Sequence, residues 1–166
     1  NLTLTGMMGV GKSTIGKAIS NRLSMGFVDI DKIIEKKLGL SVQKIFENKG
    51  EVFFRDFEEN VTLEELKKKN KVISLGGGAF MNAKIRNSVI LDTTSFWLHL
   101  DLNLLEKRLL ATKKRPLLVN KNIRFDLERI YKERKDTYSL ANYKIDCNDL
   151  TANSIKKKII TLYEND

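Results

Sequence analysis

Close to the start of the chain stands "TGMMGVGKST", Thr5 to Thr14, where Gly6, Gly11, Lys12 and Ser13 satisfy the spacing G-x-x-x-x-G-K-[ST]. These residue types at this spacing suit a polyphosphate. Glycines at positions 6, 9 and 11 let successive backbone N–H groups turn inward and approach phosphate oxygens without a Cβ in the way. Lys12 adds a point charge at the β- and γ-phosphates, and Ser13 adds a hydroxyl for Mg²⁺. The helix expected to follow directs its positive end at the anion.

Three further groups have the composition of a reaction site. In "FVDID", Asp29 and Asp31 are expected on one face of an extended segment, because side chains alternate with period 2. One carboxylate could help hold hydrated Mg²⁺, which keeps several waters and needs few protein ligands. The other could orient an acceptor hydroxyl and take its proton. Two acids at a strand end, taken alone, more often cap a helix or a turn. "GGG", Gly76 to Gly78, follows the apolar run "KVISL" and implies close approach of backbone to a ligand or a sharp turn. Ser74, within that run, is either a contact to the metal's water or a packed small residue.

Arg55 in "FFRDFE" and Arg134 in "YKERKDTY" lie on amphipathic segments of a chain whose other cations are mostly lysine. The planar fork of arginine grips a carboxylate at two points, which lysine cannot do. The plainer alternative is a surface ion pair, such as Arg55 with Glu58 three residues on. Arg115, in "TKKRPLL", lies where a loop could swing a charge over a transferring phosphoryl group. His99, the sole histidine, reads as a packed or edge residue with nothing to pair with it, and Cys147 as a packing residue.

The elements that must carry these groups alternate. "LTLT", "FVDID", "KVISL", "FWLHLD" and "YKIDC" read as strands. Amphipathic helical patterns lie between them, with stops at Gly39 and Gly50 that separate "SVQKIFENKG" from the longer "EVFFRDFEENVTLEELKKKN". "SVILDTT" fits a strand by its β-branched residues and a helix end equally well. Alternation of this kind implies parallel strands joined by right-handed crossovers, with ligands at the carboxyl ends of the strands. The phosphate loop, the acid pair and the glycine triplet each follow a strand directly. They therefore converge on one edge of one sheet.

At 166 residues with 42% hydrophobic content, the chain is expected to be a single globular domain. No apolar run reaches the roughly 18 residues of a membrane span, and no signal-peptide pattern is visible. One cysteine excludes an intramolecular disulfide framework and fits a reducing, cytoplasmic setting. The net charge of +9 raises nucleic-acid binding, but the runs "EELKKKNK" and "SIKKKII" carry no interleaved aromatics for base stacking. They read as solvated helix faces around a site for small anions.

In the order "GMMGVGKSTIGKAIS", "FVDID", "SVQKIFENKGEVFFRDFE", "VISLGGGAF", "FWLHLD", "RPLL" and "ERKDTY", the chain resembles the shikimate kinase family of nucleoside-monophosphate-kinase-like P-loop enzymes. The phosphate loop is widely shared. Its combination with D-x-D, F-R-x-x-E, G-G-G and R-P-L-L is much narrower. The resemblance implies a three-layer α/β/α fold of P-loop NTPase type with a five-stranded parallel sheet. It implies a single kinase domain with its core at about 1–31, 61–110 and 125–166, a substrate-binding region at about 32–60 and a lid at about 111–124. It also implies a cytoplasmic monomer that uses ATP and Mg²⁺ to phosphorylate shikimate on its 3-hydroxyl, with no nucleic-acid or membrane partner.

Carried over by position, Gly9, Val10, Gly11, Lys12, Ser13 and Thr14 match the nucleotide loop, and Ser13 and Asp29 the metal contacts. Asp31 matches the acid that binds and orients the acceptor's hydroxyls. Arg55 and Arg134 match the carboxylate clamp, and Gly76 and Gly77 backbone contacts to substrate. Arg115 matches the lid arginine that reaches phosphate, making it catalytic with Asp31 and Lys12. Arg108 fits the arginine that packs on adenine, beside a loop around Cys147 to Leu150. Two departures stand out: Gly26 where relatives often carry proline, and a short, Lys-rich lid. The alternatives are a gluconate or nucleotide kinase of the same superfamily, a P-loop binding or regulatory module without acceptor chemistry, and a basic nucleic-acid-binding ATPase. Between residues 32 and 60 nothing suggests a pocket for a nucleotide base.

Overall fold

The computed structural model describes residues 1–111 and 122–166. Five parallel strands stand in the order β2-β3-β1-β4-β5. They are β1 (Leu2–Thr5), β2 (Gly26–Asp29), β3 (Lys71–Ser74), β4 (Thr94–His99) and β5 (Tyr143–Asp146). Strand β1 lies at the centre. Its "LTLT" alternation resembles that of a half-exposed strand, yet all four residues are buried. Helices cover both faces of a parallel sheet, so threonine and leucine are enclosed alike.

The described helices are α1 (Lys12–Leu23), α2 (Ile30–Leu38), α3 (Val42–Leu66), α4 (Ala83–Asp92), α5 (Leu102–Ala111), α6 (Ile123–Tyr138) and α7 (Ala152–Glu164). Helix α1 packs beside α7 and α3 beside α4, which completes the three-layer α/β/α arrangement. Helix α1 lies so close to the sheet that a Cβ at Gly16 would sit 2.8 Å from the Phe27 ring and 3.2 Å from Leu4. Ser41, Asn82 and Thr151 cap α3, α4 and α7 by accepting backbone N–H bonds.

The helices expected on either side of Gly50 run end to end as α3, with the backbone turning out of helical geometry at Gly50, φ 81° and ψ 170°. Glycine alone adopts that conformation without strain, so the stop signal survives as a kink. The same helix continues past residue 60, joining the segment 32–60 to the core without a break. The ambiguous "SVILDTT" divides: Ser88 to Asp92 end α4, Thr93 turns, and Thr94 opens β4.

Candidate active site

Between β1 and α1 the phosphate loop uses its glycines for backbone geometry. Gly6, Gly9 and Gly11 all have positive φ, at 133°, 81° and 107°. At Gly6 a side chain has no room, since a Cβ would meet the Leu98 carbonyl oxygen at 2.5 Å. Lys12 is buried, and its Nζ donates to the Gly6 and Met7 carbonyls at 2.8 and 3.0 Å, so the ammonium spans its own loop. From α5, Arg108 donates to the Val10 carbonyl at 3.1 Å. Ser13 and Thr14 open the helix and are exposed.

Asp29 ends β2, opposite Ser74 of β3, and performs two tasks with its two oxygens. Oδ1 caps α2 by accepting from the Lys32 amide at 3.2 Å, and Oδ2 accepts from the Ser13 hydroxyl at 2.5 Å. Asp31 does not share an extended face with Asp29. The chain turns helical at Ile30, so Asp31 stands in the first turn of α2, where residues two apart diverge around the axis. It still reaches the sheet edge: a Cβ on Gly76 would lie 2.7 Å from its Oδ1. The Ser13–Asp29 pair offers hard oxygen donors beside a phosphate loop, which suits a largely hydrated Mg²⁺. Among the described residues no cluster of three or more His, Cys, Asp or Glu offers another metal site.

Helix α3 brings Arg55 to the same edge. Its Nη1 meets Glu58 Oε2 at 2.6 Å, its Nε meets Glu51 at 3.3 Å, and its guanidinium lies 5.2 and 5.8 Å from the Phe54 and Phe46 ring centres. Glu58 is only 2% exposed and its Oε1 has no hydrogen-bond partner among the described residues. Burial pushes its carboxyl above the ordinary value, and Arg55 offsets only part of that.

Across from Arg55, Arg134 of α6 donates to the Gly77 carbonyl at 2.9 Å. Why three glycines stand here is now clear at two of them. A Cβ at Gly76 would strike Glu58 at 2.6 Å as well as Asp31, and one at Gly78 would strike both Arg55 Nη atoms at 2.7 Å. A cavity of about 570 Å³ opens between Arg55, Arg134, Gly78, Met81 and Thr137. A larger hollow of about 790 Å³ between α1 and α2 is lined by Ser13, Thr14, Asp29 and Lys32.

This arrangement can hold a polyphosphate at one end and a small carboxylate at the other, with an acid beside the glycines between them. The family model for shikimate kinase matches residues 8–164. A shikimate kinase of Sulfurihydrogenibium sp. (strain YO3AOP1) is 38% identical over 161 residues, covering 97% of this chain and 96% of its own. Shikimate kinase from Acinetobacter baumannii, solved in complex with shikimate, superposes with a TM-score of 0.94 at 34% identity, covering 99% and 93% of the two chains. The chain belongs to the shikimate kinase family. A gluconokinase from Sinorhizobium meliloti reaches a TM-score of only 0.62 at 15% identity, a likeness of fold alone.

Of the residues expected at a shikimate kinase site, the structure gathers Lys12, Ser13, Asp29, Asp31, Arg55, Gly76, Gly77 and Arg134 at one sheet edge. Arg108 lies on the phosphate loop's other flank, bonded to Val10. Arg115 and most of the expected lid fall outside the described residues. Cys147 is buried after β5, and burial pushes its thiol up to about 11.

Two further residues take part in the site. Glu58, expected as half of a surface ion pair, is buried, and its place in F-R-x-x-E among aromatics is the sequence signal for that. Tyr138, at the end of "ERKDTY", is fully buried and donates to the Gly77 carbonyl. His99 is not without a partner, as its Nε2 lies 3.2 Å from the Tyr131 hydroxyl, while its buried Nδ1 has no hydrogen-bond partner among the described residues. Burial, then Lys144, hold its pKa below the ordinary value.

Proposed function

We propose that this site transfers the γ-phosphoryl group of ATP to the 3-hydroxyl of shikimate, giving shikimate 3-phosphate and ADP for aromatic amino acid biosynthesis. The reading rests on one observation above all. A Cβ placed on Gly77 would lie 3.5 Å from the Met8 amide of the phosphate loop and 3.7 Å from Arg134, so donor and acceptor regions abut.

The backbone of Gly9 to Thr14 cradles the ATP phosphates, and Lys12 leaves its loop carbonyls to neutralise the β- and γ-oxygens. Arg108 and the loop from Cys147 to Leu150 flank the adenine, and Arg115 reaches the γ-phosphate from the lid. Arg55 and Arg134 clamp the shikimate carboxylate beside Gly76 and Gly77. Glu58 holds Arg55 on its correct rotamer. Asp31 aligns the 3-hydroxyl; its oxygen forms the new bond to the γ-phosphorus as the bond to the bridging oxygen of ADP breaks. The hydroxyl proton passes to the Asp31 carboxylate. Ser13 and, through water, Asp29 would hold Mg²⁺, which when bound would neutralise charge on the phosphate oxygens. Most of the catalysis is positioning in a site from which water is excluded.

The core, the region 32–60 and a lid at about 111–124 divide these tasks within one chain. Both substrates are met by residues of that chain, so a cytoplasmic monomer suffices. No described helix is long and apolar enough to cross a membrane. A coupled ADP-release assay with shikimate, gluconate, nucleoside monophosphates and single-stranded nucleic acid tests the reading. Turnover with shikimate alone is expected; turnover only with another acceptor overturns it.

A further inference from the structure

Two donors converge on one backbone oxygen at the acceptor end of the site. Arg134 Nη1 donates to the Gly77 carbonyl at 2.9 Å, and the Tyr138 hydroxyl donates to the same atom. Both come from α6, one turn apart. A carbonyl oxygen has two lone pairs, and here both are committed. The peptide that follows Gly77 is planar and trans, so a carbonyl held toward α6 sends the Gly78 N–H out on the opposite side. Among the described residues that N–H donates no hydrogen bond. Gly78 in turn lies against the Arg55 guanidinium, where even a Cβ would collide with it.

Glycine gives this peptide no steric preference of its own, and a flip would cost it little. Something outside the loop must choose its orientation. Arg134 is poorly suited to do so alone, since it is also needed for the bound carboxylate. Tyr138 is suited. It is 0% exposed, and its ring stacks on Trp97 with centroids 5.9 Å apart at 29°. Trp97 pairs in register with Thr5, directly before the phosphate loop. The hydroxyl is thus fixed relative to the strand that carries the nucleotide site. Burial raises its pKa, so it remains a donor at working pH.

We propose that Tyr138 is a positioning residue for the phosphoryl acceptor: by sharing the Gly77 carbonyl with Arg134 it fixes the plane of the Gly77–Gly78 peptide, and with it the seat of the glycine turn against Arg134 and Arg55, where the acceptor's carboxylate is held. The inference rests on the shikimate reading of the site. It adds a residue that touches neither substrate nor nucleotide yet sets the affinity for one of them.

The test is Tyr138→Phe in the full chain, with steady-state kinetics in both substrates. The ring and its stack on Trp97 are kept, and only the hydroxyl is lost. KM for shikimate should rise about 3- to 10-fold, the worth of one neutral hydrogen bond, while KM for ATP stays within about twofold. Unchanged KM for shikimate, or an equal rise in both, overturns the proposal, because a general loosening of the fold would not single out one substrate. A measurement on the wild type covers a variant that fails to fold. The Gly78 amide resonance should move on titration with shikimate and not with ATP, because the turn that Tyr138 fixes lines the acceptor end; a stationary Gly78 resonance overturns the proposal. A wild-type chain that phosphorylates another acceptor but not shikimate removes the reading of the site and this inference together. Wild-type activity with an unaffected Phe variant removes this inference alone.

Discussion

The hydroxyl of Ser13, at the start of α1, lies 2.5 Å from Oδ2 of Asp29, at the end of β2. The other Asp29 oxygen caps α2. Removing the charge but keeping the cap separates the two tasks, since asparagine caps as well as aspartate. Asp29→Asn should keep its thermal midpoint within a few degrees, while the Mg²⁺ concentration for half-maximal turnover rises about tenfold, the low end for loss of a metal-site contact. An Mg²⁺ dependence equal to that of the wild type would place the metal elsewhere.

Because Asp29 is the cap, Asp31 is released from that explanation of its presence. Asp31→Asn should lower turnover by about 10²–10⁴, the range for a positioned general base, with the loose phosphoryl-transfer transition state favouring the smaller loss. Binding of ATP should barely change. Near-normal turnover with shikimate in a folded variant would remove Asp31 from the chemistry.

Arg55 is held between Glu58 and two phenylalanines, and only its planar fork satisfies Glu58 while leaving donors toward the cavity. Arg55→Lys keeps the charge and should weaken shikimate binding by about 10-fold or more, with ATP binding spared. Gly78→Ala should have the same signature, because its Cβ would press on both Nη atoms at 2.7 Å. Isothermal titration of both variants with each substrate checks this; a loss confined to ATP would move Arg55 to the nucleotide side.

His99 is held neutral by burial, with its pKa lowered from 6.5. The unfolded chain therefore binds a proton more readily than the folded one as pH falls below about 6.5. Stability from this residue is full above that value and declines below it, levelling off under the lowered folded pKa. Between pH 7.5 and 5.5 the wild type should lose more stability than His99→Phe, which cannot titrate. Parallel urea-midpoint curves for the two proteins would contradict this.

Cys147 is 1% exposed, and its thiol is raised to about 11 from 9.0. At pH 8 the thiolate fraction should be about 100-fold below that of the unfolded chain. Iodoacetamide should thus label the native protein at least that much more slowly than the chain in denaturant. Comparable rates, followed by mass spectrometry, would show that the loop after β5 opens readily.

What this sequence determined by itself is local in origin. Glycines at 6, 9 and 11, with Lys12 and Ser13 behind them, can build little else than a phosphate loop. Alternating strand and helix periodicities leave few options beyond a parallel sheet with its ligands at one edge. Gly50 was legible as an interruption for the same reason, since a positive φ is written in the residue type. The tertiary structure decided the rest. Whether Asp31 shares a strand with Asp29 depends on where the helix begins, and that is set by a cap that also answers to Ser13 in another element. Glu58 has a surface-pair spacing from Arg55. Its burial comes from Gly76, 18 residues away in sequence, whose missing Cβ makes room for it. Tyr138 looks like any aromatic on an amphipathic helix until β4 and the glycine turn are packed against it. Periodicity and turn chemistry act over a few residues and can be read along the chain. Burial of a carboxylate or the aim of a peptide plane is set by partners distant in sequence, and only packing brings them together.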